Sequence, residues 1–478
     1  MDDKKPFYLT TTLPYVNADP HIGFALELVQ ADILARHARL LGVDVFFNTG
    51  TDEHGQKIFQ KAKEEGVDVN EYVDRYAARF GKLKETLNLS YDAFIRTTNK
   101  EHVIAAQELW RRCNMAGDVY KKKYKGLYCI GDEVFLKESD LVGGRCPNHP
   151  NMVLVTIEEE NYFFRLSNYQ KKLHDYLSGK EAVLPSWRRE EALQFVAHGL
   201  EDFSISRERS RMDWGVPVPG DDSQVMYVWF DALTNYISTL GWPADTEGDF
   251  KKFWVEGETV QIAGKDQVRF QSVMWQAMLM SAGLPTTQRV LYHGFITSGG
   301  HKMSKSLGNV IDPAVLVVEY GTDALRYYLA RHVHTFEDSD FTAEHFKELY
   351  NANLANGLGN LTARIMKLAE DHLEAGTRPK PTGFSKNYTD AFERFEINHA
   401  IDEVFRHVQL LDQKITTTEP FKLVNSDPVA GKKLIFDLTR ELLAVGQMLE
   451  PFMPDTSKKI KEAVITNEKP ATLFPRKE

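Results

Sequence analysis

Alternation of strand-like and helix-like segments predicts an α/β fold on a parallel sheet, split by a small insertion and followed by an all-helical region. Three observations carry this. Apolar strand-like runs alternate with helical periodicity over residues 1–117 and again over 204–342. Between them, 118–203 changes to short runs, paired glycines and turn chemistry, and beyond 343 every apolar stripe has helical spacing. At 478 residues, 42% hydrophobic and 26% charged, the chain reads as an ordinary soluble globular protein of roughly two to four domains.

The first element is the strand Phe7-Tyr8-Leu9. It runs into a loop holding Pro14, Pro20, His21 and Gly23, then a helix with apolar residues at Phe24, Leu28, Ala31, Ala35 and Ala38. A helix N-terminus presents unpaired N–H groups and a partial positive charge, so this turn suits an anion. His21 can donate to phosphate oxygens without a fixed charge, and Gly23 removes a Cβ where a flat ring could lie on backbone. The next strand, VDVFFN (43–48), ends in the polar run Thr49 to Gly55, where open α/β sheets put ligands. Helical segments follow through 57–88 and 100–117. The insertion contains small strands with Cys129 and Cys146 among them, closed by helical residues 166–200. Strands return as TVQIAG (259–264) and VLYHGFI (290–296), followed by a polar, glycine-bracketed loop, GGHKMSKSLG. The C-terminal part shows three apolar stripes: Leu354 to Leu368, Ile397 to Leu411 and Ile435 to Leu449. Prolines break them at 379/381 and 451/454, as in a helix bundle.

Composition narrows the function. No run approaches the roughly 18 apolar residues of a membrane span, and the charged N-terminus is no secretory signal, so no membrane partner is expected. Three cysteines leave no disulfide framework and point to a reducing cytoplasm. Net charge is −10, but residues 343–478 hold 19 Lys+Arg against 20 Asp+Glu, leaving 39 against 48 elsewhere. The helical part is thus relatively less acidic, which permits a nucleic-acid partner without arguing for one.

Pro20-His21-Ile22-Gly23 at a helix start and Lys302-Met303-Ser304-Lys305-Ser306 between glycines, in that order within a split α/β domain, resemble the signatures of class I aminoacyl-tRNA synthetases. Either alone is weak, since a Lys/Ser loop is by default a solvated turn. Longer stretches sharpen the likeness to the methionyl-tRNA synthetase family: TTLPYVNADPHIG, NTGTDEHGQKI, YVWFDALTNYI, GKDQVRFQSVMWQAML, HGFITSGGHKMSKSLGN and NGLGNLTARI. The resemblance implies a Rossmann-type catalytic domain in two halves (1–117 and 204–342), a connective insertion (118–203) and an α-helical anticodon-binding domain (343–478). It implies ATP-dependent activation of L-methionine to methionyl-adenylate and transfer to tRNA(Met), with ATP used together with Mg2+. Rivals are a synthetase for cysteine or a branched amino acid, a nucleotidylyltransferase sharing the histidine-glycine signature, and an inactive tRNA-binding paralogue.

Residue by residue, the resemblance assigns His21, Lys302, Lys305 and Arg207 to catalysis. Thr12, His21, Gly23, Phe24, Glu27, Gly264, Asp266, Gly294, Phe295 and Lys305 are expected to meet ATP. Asp52 is expected at the methionine ammonium, with Leu13, Tyr15, Trp229, Ala232, Tyr236, Phe270, Gln271 and Trp275 forming the slot. A thioether contributes mostly shape and dispersion, so an apolar slot suits it. Asn360, Arg364 and Phe421 are expected to contact the anticodon. Phe24, Gln271 and Phe421 depart from residues usual at those positions. Cys129, Asp132, Cys146 and His149 could hold Zn2+ as a degenerate knuckle, but aspartate is a poor structural ligand beside thiolates, and a metal-free knuckle is the expectation. The insertion of about 85 residues is too small for the separate editing domain of larger related synthetases, and with no dimerisation module read after the bundle a monomer is expected.

Overall fold

In a computed structural model, the described residues are 4–131, 134–147, 149–179, 181–303, 308–374, 379–380 and 383–478. The run Phe7–Thr11 is buried throughout and forms a central strand. It pairs in parallel with Val45–Thr51 on one side (Phe7↔Val45) and with Glu258–Gly264 on the other (Phe7↔Glu258). The six-stranded sheet runs Ala93–Arg96, Val45–Thr51, Phe7–Thr11, Glu258–Gly264, Arg289–His293, Val183–Leu184. The chain therefore winds outward from Phe7–Thr11, then restarts on its other flank. That reversal is a topological switch point, and the crevice beyond the strand ends there is where such sheets bind ligands. Thr12 N–H donates to Ile262 O at 3.1 Å, fixing the mouth of this crevice.

Two features differ from the sequence reading. The edge strand Val183–Leu184 comes from within the insertion and pairs in parallel with Val290 and Leu291. Two residues are too few to show periodicity. The run 290–296 is also not one strand. It ends at His293, and at the next residue the Glu337 backbone packs so closely that a Cβ on Gly294 would lie 2.1 Å from the Glu337 carbonyl carbon. Ile296–Ser298 then pairs in parallel with Ser339–Phe341 and antiparallel with His301–Lys302. The insertion holds a four-stranded sheet, ordered Val134–Leu136, Val119–Cys129, Val155–Phe164, Phe203–Ser204.

By compactness the chain forms two units. One comprises 1–20, 43–82 and 91–292; the other comprises 21–42, 83–90 and 293–478. The second unit gathers the helix Ile22–Leu40 with the C-terminal helices Ile397–Thr418, Pro428–Met448 and Pro454–Thr466. Its expected apolar stripes are buried at Leu354, Leu358, Leu361, Ile401, Val404, Leu438 and Leu442. A charged network ties its segments together. Asp32, fully buried, receives Arg36 at 2.7 Å, Arg326 at 2.8 Å and both Ser90 donors at 2.6 Å. Arg326 also donates to the carbonyls of Leu87, Pro451 and Phe452. Removing either charge would leave its partner buried and uncompensated, at a cost of about 3–5 kcal/mol. Tyr350–Gly359 is wound as a π-helix before the α-helix Asn360–His372 begins. Among the described residues, no helix is long and apolar enough to cross a membrane.

Candidate active site

The strand ends of the first unit carry the residues expected at an amino acid. Asp52 N–H donates to Pro14 O at 3.0 Å, and Asp52 O accepts from Val16 N–H at 3.1 Å, so Tyr15 and Asp52 face each other in a short parallel bridge. Trp229 and Phe270 stack at 3.8 Å between centroids, 13° from parallel. Tyr236 and Trp275 are buried and meet edge-on at 5.7 Å, and Ala232 is buried beside Leu233. Gln271 Nε2 donates to Tyr236 Oη at 2.5 Å, while Tyr8 Oη donates to Tyr236 O at 2.8 Å. Leu13 is half-buried. Aromatic and aliphatic surface with one carboxylate thus lies at the sheet's C-terminal edge.

Behind this wall lies polar machinery that sequence reasoning missed. Asp231, fully buried, receives His54 Nδ1 at 2.6 Å and His102 Nε2 at 2.8 Å. Burial alone would push this carboxyl up, but the two imidazoles hold it down at about 2. Glu53 accepts from Thr51 Oγ1 (2.6 Å), Thr98 Oγ1 (2.5 Å) and Arg96 (2.7 and 2.9 Å). An acid inside the apolar run YVWFDAL was the available signal.

Arg207 is a buried side chain. Its Nη1 donates to Ser204 Oγ at 2.9 Å and Ser206 O at 2.7 Å, and its guanidinium lies over Tyr227 at 4.4 Å. Gly264 ends its strand buried, and Asp266 follows it, exposed, in a 3-10 turn. Thr12 is half-buried.

In the second unit, His21 caps the helix Ile22–Leu40. Its Nδ1 accepts from Gly23 N–H at 3.0 Å. Ile22 N–H goes to Ile311 O, and the N–H groups of Phe24 and Ala25 go to His21 O. The first-turn donors are thus already taken, so the helix N-terminus offers no row of free N–H groups to an anion. What it offers is His21 Nε2. Phe24 lies against the His21 ring at 4.4 Å, and burial pushes this imidazole down to about 4. The ring is therefore neutral near pH 7, with its proton on Nε2 because Nδ1 is an acceptor. A Cβ on Gly23 would come within 2.8 Å of His21 Cε1, so glycine makes room for the histidine itself. That same Cβ position is 3.8 Å from Met303 Cε, and Ile22 bonds Ile311, which brings the two signature loops together. Lys302 is exposed on the strand after Gly299 (φ +60°) and Gly300 (φ +77°), a turn only glycine enters freely. Lys305 lies outside the described residues. Glu27 is buried, with His293 Nε2 at 2.9 Å; Gly294 is buried and Phe295 half-buried.

Asn360 opens its α-helix, and Arg364, one turn on, pairs with Asp412 at 2.6 Å. The ten residues before Asn360, Tyr350–Gly359, are wound as a π-helix, which changes the helical register leading into Asn360. Phe421 is 47% exposed. In the insertion, His149 Nδ1 lies 3.8 Å from Cys129 Sγ and 4.0 Å from Cys146 Sγ. All three ligand atoms fall within 4.8 Å of one another. Tetrahedral Zn–S and Zn–N bonds place ligand atoms about 3.5–3.8 Å apart, so the trio fits such an ion with little closure. Asp132 lies outside the described residues.

The family described as tRNA synthetases class I (M) matches residues 7–153 and 153–366. The chain is similar to a methionine--tRNA ligase of Rhizobium meliloti (strain 1021), 40% identical over 484 residues, covering 97% of this chain and 92% of that one. It is likewise 39% identical over 485 residues to that of Thermotoga maritima, covering 97% and 76%. Among solved structures, Mycobacterium tuberculosis methionyl-tRNA synthetase in complex with methionyl-adenylate aligns with a TM-score of 0.88 at 36% identity, over 99% of each chain. Its apo form aligns with a TM-score of 0.83 at 33% identity, again over 99% of each.

Proposed function

The chain belongs to the class I tRNA synthetases and, within them, to the methionine--tRNA ligase family, and from that premise we propose how its own residues carry out methionine activation and tRNA charging. The methionine carboxylate attacks the α-phosphate of ATP, supplied as its magnesium complex, and pyrophosphate leaves. Negative charge gathers in the transition state, so positioning and electrostatic stabilisation dominate and no covalent nucleophile is needed. Asp52 takes the substrate ammonium, and Leu13, Tyr15, Trp229, Ala232, Tyr236, Phe270, Gln271 and Trp275 enclose the thioether. The stacked Trp229–Phe270 pair, in the same unit as the Tyr15–Asp52 bridge, is the observation that carries this reading.

His21 donates through Nε2, and Lys302 and Lys305 balance the developing phosphate charge. Arg207 adds a further cation. Gly264 and Asp266 meet the ribose; Thr12, Gly23, Phe24, Glu27, Gly294 and Phe295 complete the nucleotide contacts. The aminoacyl group then passes to the terminal adenosine of tRNA(Met), whose anticodon is read by Asn360, Arg364 and Phe421 in the helical part. We assign the catalytic domain to 1–117 and 204–342, the connective insertion to 118–203 and the anticodon-binding domain to 343–478, in a cytoplasmic monomer.

The convergence of Cys129, Cys146 and His149 supports zinc over the metal-free knuckle expected from sequence. Metal analysis of purified protein should find about one zinc per chain; none would restore the metal-free form. For the function, purified protein incubated with ATP, methionine and total tRNA should charge methionine tRNA alone. Charging of another tRNA, or none, would overturn it.

A further inference from the structure

The loop bearing Asp52 is clamped from two sides. On the sheet side, Glu53 binds Arg96 and Thr98, and Glu53 N–H donates to Thr97 Oγ1 at 2.9 Å. On the opposite flank, His54, two residues after Asp52, holds Asp231 on the short helix Val228–Leu233. That helix also carries Trp229 and Ala232. Asp231 is braced in turn by His102 of the helix Lys100–Met115, whose Nδ1 lies 2.9 Å from Ser238 Oγ. The brace continues through Asn235, whose Nδ2 donates to Ala232 O at 2.7 Å and whose Oδ1 accepts from Asn48 Nδ2 at 3.2 Å.

A buried carboxylate is a poor way to gain stability, since an apolar residue of similar size packs as well without desolvating a charge. What a satisfied polar network supplies is one fixed geometry. Here that geometry relates the Asp52 loop to the aromatic wall. Asp231 accepts from both imidazoles, so each presents an N–H toward it: Nδ1–H of His54 and Nε2–H of His102. With the His54 clamp released, the loop loses its bond to the helix that carries Trp229, while Glu53 keeps Arg96, Thr97, Thr98 and the Trp214 Nε1–H donor on its carbonyl at 2.6 Å.

We propose that His54 and Asp231 are positioning residues for amino-acid binding, setting the spacing between the Asp52 carboxylate and the wall formed by Trp229 and Ala232. This rests on the methionine-activation reading above and adds what makes that pocket selective in affinity. Neither residue touches the reacting atoms, so the effect belongs in the amino-acid KM and leaves the ATP KM alone.

Amino-acid-dependent ATP–pyrophosphate exchange tests it. His54→Ala should raise the methionine KM about tenfold while kcat and the ATP KM stay within about twofold. His54→Asn places an N–H donor where Nδ1–H stands and should recover most of that loss. An unchanged methionine KM in His54→Ala, an equal rise in the ATP KM, or an Asn variant as impaired as the Ala one would each overturn the assignment. If melting shows His54→Ala unfolded, Asp231→Asn carries the same test, with the same KM split expected. Absence of methionine-dependent exchange in the unaltered protein would remove the parent reading, and this inference with it.

Discussion

The two sets of residues assigned to the reaction are built in opposite ways. In the first unit, the amino-acid set is packed and mostly apolar: a stacked Trp229–Phe270 pair, buried Tyr236 and Trp275, and a loop clamped through Glu53 and His54. In the second, the phosphate set is a neutral histidine on a helix cap and an exposed lysine beyond two positive-φ glycines. Shape discriminates substrates before reaction, whereas charge is needed only as it develops. An apolar slot separates one methylene by about 1–3 kcal/mol, so shape must be held closely. Stabilisation of a transition state asks for donors aimed at the oxygens, the role proposed for the glycine-flanked lysine and the uncharged imidazole.

Substitutions should therefore split by parameter, and a failure to split would break the comparison. Lys302→Ala should lower the activation kcat about 10²–10³-fold with the methionine KM nearly unchanged in exchange assays. His21→Asn keeps an acceptor at the Nδ1 position but has no group at Nε2, and should lower kcat about 10²-fold with little change in melting temperature. The His21 pKa sharpens this. Its folded value, about 4, lies below the ordinary 6.5. Between the two the unfolded chain binds a proton the folded chain refuses, so His21 makes stability rise with pH across that window and adds no slope above it. A pH–rate profile should accordingly show no His21 break between about pH 6.5 and 8. Trp229→Ala should instead raise the methionine KM about 30-fold, leaving the ATP KM alone. Phe421→Ala should touch neither set: exchange is unchanged while the tRNA KM in charging rises about fivefold through lost base stacking.

Much of this division was legible in the chain. The polar ends of the early strands and the helix start at His21 could be read from periodicity, and the split sheet followed from the two α/β stretches. The assignment of His21 and the KMSKS loop to phosphate came from the family resemblance. Contacts across long sequence separations were not. The Asp231–His54–His102 cluster joins residues 177 and 129 positions apart, and no local pattern encodes it. The edge strand Val183–Leu184 is two residues long, and the π-helical winding over Tyr350–Gly359 keeps apolar spacing while shifting register. The first helix misled most: its N-terminus reads as an open anion site, yet Ile311 and His21 already take its donors. Burial of Arg207 likewise depends on Tyr128, Phe135 and Tyr227 arriving from separate segments.

The central claim is that the chain activates methionine, with the amino acid held by the slot residues of the first unit. Amino-acid-dependent ATP–pyrophosphate exchange across the twenty amino acids tests it most directly. Exchange with methionine alone is the predicted result. Exchange driven as well by another amino acid, or absent with all twenty, would contradict it.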